Sequence, residues 1–333
     1  MTECPTNPLV RTPAVQSLYS ITRSANVPLV VDGTIAPPGT LKGVPQLCDL
    51  YVASTTKYSG NAANVLGGLI AVNGCSPWAD AFRDALSSSP PDPPYARDAK
   101  ALVDQMRRMP LLLPLVNATT VAVVRWLQSL VAPCDAPRAV TATEWRTAPL
   151  SAVHWAYSGD DGEPVCAAAG QSGARYRELA GCSHEDEAVP GCMVTFELRG
   201  TGRGRNAAGD DDAEDEAHAY SHSVLAAFYD AVPLVSVEDA PRGVATLPLE
   251  GDPGAPQRGI VKGPSFGAVF TIMTPFVYLA HYDAVRTREG RRQLYGAGLN
   301  PYLLRLSVGT EPPAALIAAL TAGFDAAAAT ATR

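Results

Sequence analysis

Lys57 closes the tetrapeptide Ser54-Thr55-Thr56-Lys57, directly after an apolar run at residues 47–53. An amine just past a strand end can reach the crevice at the carboxyl edge of a parallel sheet, where ligands of such sheets bind. There it could form a Schiff base with the aldehyde of pyridoxal phosphate (PLP). Ser54 and Thr56 could donate hydrogen bonds to the phosphate. Asp32 stands 25 residues before Lys57 and ends an earlier apolar run. Its carboxylate could keep the pyridine nitrogen protonated, the state in which the ring acts as an electron sink. Each residue also has a plainer reading. An isolated Ser-x-Thr-Lys most often carries a solvated surface lysine, and an aspartate at a strand end can cap a turn.

These side chains need a sheet beneath them. Residues 27–31 (VPLVV), 47–53 (LCDLYVA) and 66–72 (LGGLIAV) are apolar runs of the kind that forms buried parallel strands. Residues 14–26, 98–109 and 118–130 have helical spacing, the last with Val121, Val124, Trp126 and Leu127 on its apolar side. Strands interleaved with short helices indicate an α/β sheet. Further strands are expected around residues 153–155 and at 192–198 and 303–308. Helices are expected at 224–232 and 313–324, followed by a frayed end. Residues 1–125 are expected to form the sheet domain and 126–333 a second domain. An acidic insertion around 200–217 contains the tract GDDDAEDE at 209–216, which reads as a solvated loop.

At 333 residues, the chain fits two domains at roughly 100–200 residues each. Its composition, 47% hydrophobic and 18% charged, excludes wholesale disorder. With 26 Lys+Arg against 33 Asp+Glu the net charge is −7, which argues against a nucleic-acid partner. Cysteines at 4, 48, 75, 134, 166, 182 and 192 form no CxxC pattern, so a reducing, cytoplasmic setting is expected. The start of the chain lacks the apolar segment of a signal peptide. Residues 109–127 are apolar but interrupted by Pro110, Pro114, Asn117, Thr119 and Thr120, so no membrane span is expected there. The histidines suggest no metal site. His218 and His222 lack a third ligand and read as solvated.

Residues 2–9 (TECPTNPL), 28–38 (PLVVDGTIAPP) and 48–72 resemble three patterns, in the same order and spacing. These are the E-x-P-[ST]-N-P, V-V-D-x-T and S-x-T-K-x-x-[SG]-G segments of the PLP-dependent transsulfuration, or Cys/Met metabolism, family, which the chain resembles. Residues 262–282 and 303–320 resemble that family's S-[LF]-G and R-x-S-x-G-x-E segments. The first is most similar to fungal-type cystathionine γ-synthases, and Phe270, where many relatives carry Glu, leans the same way. The resemblance implies the PLP-dependent transferase fold type I (aspartate aminotransferase-like), with a mostly parallel α/β sheet and a smaller α+β C-terminal domain.

The same resemblance assigns residues. Lys57 would carry PLP and move protons, Asp32 would pair with the pyridinium, and Ser54 and Thr56 would touch the phosphate. Asn7 would bond the phenolic oxygen or the substrate carboxylate. Arg305 would clamp the α-carboxylate with Ser265 beside it. The implied reaction is γ-replacement on an O-activated homoserine with cysteine, giving cystathionine for methionine biosynthesis in a homo-oligomer, a dimer or tetramer. A sulfhydrylase or cystathionine γ-lyase shares every one of these residues. The family pattern also places a long segment, with its phosphate loop and stacking aromatic, before the motif that Glu3 opens here. The alternative this implies is a truncated or non-catalytic paralogue.

Overall fold

The computed structural model describes residues 1–90, 92–133, 142–159, 171–182, 189–201, 211–233 and 260–332. In chain order these form β1 (Thr2–Glu3), α1 (Val15–Ser24), β2 (Val30–Asp32), β3 (Leu50–Ser54), β4 (Gly68–Val72), α2 (Ala79–Ser88), α3 (Ala96–Met106) and α4 (Met109–Ser129). Next come α5 (Ala142–Thr147), β5 (Leu150–His154), α6 (Ser172–Ala180), β6 (Met193–Leu198), α7 (Asp211–Ala231), β7 (Val261–Lys262) and β8 (Ile272–Thr274). The rest are α8 (Phe276–Ala280), α9 (Tyr282–Val285), α10 (Arg288–Gly296), β9 (Leu304–Ser307) and α11 (Pro313–Ala331).

The chain divides into two units, each made of three segments. The first contains Met1–Thr120, His154–Met193 and Ser265–Val269; the second contains Val121–Val153, Val194–Pro264 and Phe270–Arg333. Where the sequence suggests one change near residue 125, the chain leaves the first unit after Thr120 and returns to it twice.

The first unit carries a sheet of order β1-β2-β3-β4. β2 and β3 run parallel, as their apolar runs suggest, with the short polar β1 parallel beside β2, and Val31 on β2 is fully buried. β4 departs from the expected pattern. It runs antiparallel to β3, and Leu69 and Ile70 are exposed. Residues 55–67 turn the chain back on itself, with Thr55 N and Thr56 N donating to Gly67 O at 2.9 and 3.3 Å. The returning strand therefore lies at the sheet edge.

The apolar stretch from Met109 is also more regular than its prolines suggest. α4 continues through Pro114 to Ser129. By length and composition α4 and α11 are each able to cross a membrane. In α11 the apolar face, Leu316, Leu320 and Phe324, is buried, as it is in the core helix of a globular unit.

The second unit has a sheet of order β5-β6-β9-β8-β7, with β7 parallel to β8 and β8 antiparallel to β9. α7 and α11 pack together over an aromatic cluster. The Phe228 ring lies 5.0 Å from Phe324 and 5.8 Å from Phe196.

Three expectations change in this unit. Residues 211–216 of the acidic tract are helical, not loop, and open α7; residues 209 and 210 lie outside the described residues. Acidic side chains suit a helix N-terminus because they offset the positive end of its dipole. Three arginines of α10 complete the arrangement. Glu214 is buried and meets Arg291 at 3.1 Å and Arg292 at 2.9 Å, while Asp215 meets Arg291 at 3.2 Å. The C-terminal alanines continue α11 to Ala331, in keeping with alanine's helix propensity, and Ala327 and Ala328 are buried. His218 is not a solvated residue: its Nδ1 bonds the Tyr302 hydroxyl.

Candidate active site

The parallel strands β1, β2 and β3 end at the same sheet edge, and the chain bends sharply after each. After β2, Asp32 begins a turn. Its Oδ1 accepts Thr34 N at 2.9 Å, and Gly33 N donates to Val52 O of β3 at 2.9 Å. Gly33 lies against Tyr51, where a Cβ would stand 1.9 Å from the phenol oxygen, so only glycine fits without a shift. Burial raises the Tyr51 hydroxyl to about 12, reinforced by the nearby Cys4, Asp32 and Cys48. Thr34 Oγ1 accepts Ser54 N at 2.9 Å. The Asp32 turn is thereby tied to the end of β3, three residues before Lys57.

The loop that carries Lys57 is closed from within. Thr56 Oγ1 donates to Gly67 O at 3.3 Å and accepts Gly67 N at 3.0 Å. Gly60 N donates to Thr55 O at 2.7 Å. Lys57 Nζ donates to Ser265 Oγ at 3.3 Å and lies 4.9 Å from the centroid of the Phe266 ring. The segment 265–267 passes so close that a Cβ on Gly267 would meet Tyr58 N at 2.7 Å and Lys57 C at 2.9 Å. With φ at +82°, that position is glycine's on conformational grounds as well.

The structure thus joins Lys57 to Ser265 and, through Thr34, links Asp32 with Ser54. The hydroxyl of Thr56, expected at a phosphate, is engaged inside its own loop. Asn7 lies in the turn after β1, where its backbone N donates to Glu3 Oε2 at 2.8 Å. Arg305 belongs to the second unit. It is 2% exposed on β9 opposite Thr274, its guanidinium lies 4.2 Å from the centroid of the Phe276 ring, and Nη2 donates to Pro264 O. Two structural contributors carry no signal of their own in the sequence, Tyr58 and Cys192; two more, Thr34 and Glu311, stand in the V-V-D-x-T and R-x-S-x-G-x-E segments without a role assigned there. The Glu311 carboxylate accepts both Thr271 N and Thr271 Oγ1 at 2.7 Å, pinning the start of β8 to the loop after β9.

The donor set fits PLP at the amine and at the carboxylate. Lys57 stands on the loop leaving β3, and Asp32 ends the adjacent parallel strand, so an aldehyde and a ring nitrogen have partners at one sheet edge. Ser54 adds a hydroxyl there. Among the described residues no three His, Cys, Asp or Glu side chains gather as metal ligands. Residues 1–131 match the family described as Cys/Met metabolism PLP-dependent enzyme. Nearly the whole chain, 325 residues or 98% of it, is 30% identical to an L-2-amino-4-chloropent-4-enoate dechlorinase/desaturase of Streptantibioticus cattleyicolor.

Over residues 1–131 the chain carries the pattern of the PLP-dependent Cys/Met metabolism family.

A shorter match covers 71 residues. It is 34% identical to the cystathionine γ-synthase of Mycobacterium leprae, over 21% of this chain and 18% of that protein. The fold agrees with that of this family. The crystal structure of cystathionine γ-synthase from Xanthomonas oryzae pv. oryzae superposes with a TM-score of 0.63 at 20% identity, covering 99% of this chain and 63% of that one. The fold-type I expectation is borne out. The chain spans 48% of the S. cattleyicolor protein, about half its length.

Proposed function

We propose that this chain supplies the lysine-bearing part of a PLP-dependent enzyme that performs γ-replacement on an O-activated homoserine with cysteine, giving cystathionine. The supporting observation is the position of Lys57. It stands on the loop leaving β3, beside the strand that ends in Asp32, with its amine held 3.3 Å from Ser265 Oγ. When bound, PLP supplies an electron sink for charge that develops at the substrate Cα. The chain's own residues do the rest. Lys57 Nζ takes the Cα proton and then removes a Cβ proton, so that the γ-ester can leave, and returns a proton to Cβ once the cysteine thiol has added at Cγ, work suited to a primary amine on a long stem. Ser265 Oγ orients that amine. Asp32 holds a positive charge at the ring nitrogen, and Ser54 donates to the phosphate. The carboxylate-binding role that the resemblance gives Arg305 suits its planar fork, and Asn7 would orient the α-carboxylate. A homo-oligomer is the expected assembly.

Turnover of O-acetylhomoserine plus cysteine should fall at least ~10²-fold in Lys57→Ala, the scale of a lost acid–base group. Retained turnover would end this reading. A second reading has its own support, because the dechlorinase/desaturase matches 325 residues of the chain where the M. leprae γ-synthase matches 71. In that case the same Lys57 would serve an elimination from a halogenated amino acid. Chloride release from 2-amino-4-chloropent-4-enoate, with no cystathionine formed, would favour it.

A further inference from the structure

We infer that Tyr58 is a positioning residue that fixes Lys57 relative to the Asp32 turn, an inference that rests on the PLP reading of Lys57. Two segments of the first unit converge on its hydroxyl. It donates to Ile35 O at 3.1 Å, three residues beyond Asp32. It accepts Cys192 N at 3.0 Å and Cys192 Sγ at 3.2 Å. Gly191 has φ +74°, and a Cβ there would stand 2.6 Å from the phenol oxygen, so the approach demands glycine.

The ring does separate work. It meets Phe266 edge-on at 6.3 Å, and the Phe266 face lies 4.9 Å from Lys57 Nζ. Gly267 presses on the Tyr58 backbone from the same side. The free space bounded by Tyr58, Cys192 and Gly267 is ≈ 10 Å³, about what one water needs. A ring without its hydroxyl has little room to move elsewhere. Lysine has a long, rotatable stem, so its amine is aimed only as well as its Cα is held. The turn after β2 is joined to the Lys57 loop by two bonds, one from Ser54 N to Thr34 Oγ1 and one from Tyr58 Oη to Ile35 O. The second acts at the residue next to the lysine.

Tyr58→Phe in the full chain tests this with two readouts. The first needs no cofactor: hydrogen exchange of the amides at 55–60 should quicken about tenfold, the scale of one lost hydrogen bond to a fixed group. The second is the rate at which PLP followed by borohydride labels Lys57, mapped by peptide mass, which should fall by about the same factor. A purely structural tyrosine would lower the melting temperature and leave both rates unchanged far below it, which would overturn the inference. If the unaltered chain is not labelled at Lys57, the PLP reading fails instead, and exchange alone judges Tyr58. Should Tyr58→Phe not fold, Cys192→Ala removes only the thiol contact. Faster exchange at 55–60 would then support the inference, and unchanged exchange would refute it.

Discussion

In the second unit Phe196, Phe228, Tyr302 and Leu304 are fully buried, and an ion cluster between α7 and α10 has Glu214 and Arg291 at 2% and 3% exposure. In the first unit α3 buries none of its side chains, α1 and α2 bury one residue each, and Ile21, Leu66, Ile70 and Leu111 are exposed. Yet the first unit carries the loop of Lys57, which is closed by several hydrogen bonds. Around Lys57, order comes from hydrogen bonds between turns and from glycines where two backbones touch. Packing in the second unit supplies stability in bulk, because apolar burial is favourable and non-directional. Aiming one amine calls for directional contacts, and these need little buried area.

Four measurements would break or sharpen that contrast. Phe228→Ala should cost about 4 kcal/mol in denaturant unfolding, since the lost ring leaves a cavity between Phe196 and Phe324. A much smaller loss would mean that the second unit can collapse around the gap. Arg291→Met should cost roughly 3 kcal/mol, because it strips Glu214 of its buried counter-ion. A neutral or stabilising outcome would show that Arg292 alone neutralises that carboxylate.

His218 is held below the ordinary histidine range, first by burial and then by Arg291 and His222. The folded chain therefore takes up this proton less readily than the unfolded one. Its contribution to stability is complete above the unfolded value of about 6.5 and is lost as the pH falls below it. His218→Gln should flatten the fall in melting temperature between pH 7 and pH 5; an unchanged slope would assign that fall to other groups. At the small end, Ile70→Thr on the exposed face of β4 should change unfolding by less than about 0.5 kcal/mol. A larger cost would show that β4 is covered in solution.

Local chemistry made much of this protein legible in its residues. Apolar, β-branched runs marked β2 and β3, and 3.6-residue spacing marked α1 and α3, because both patterns depend on neighbours a few positions away. Lys57, Asp32 and Ser54 could be singled out because strand ends put such groups at a sheet edge. The direction of β4, the burial of Glu214, and the contacts of Tyr58 could not. Tyr58 meets Cys192 across 134 residues, and Glu214 meets Arg291 across 77. No periodicity spans such separations, so an acidic tract reads as solvated until a second helix brings arginines to it. Residue type and spacing determined which groups could do chemistry. Tertiary structure decided which of them are held still, because a hydrogen bond or a buried ion pair forms only where distant segments meet at the right distance.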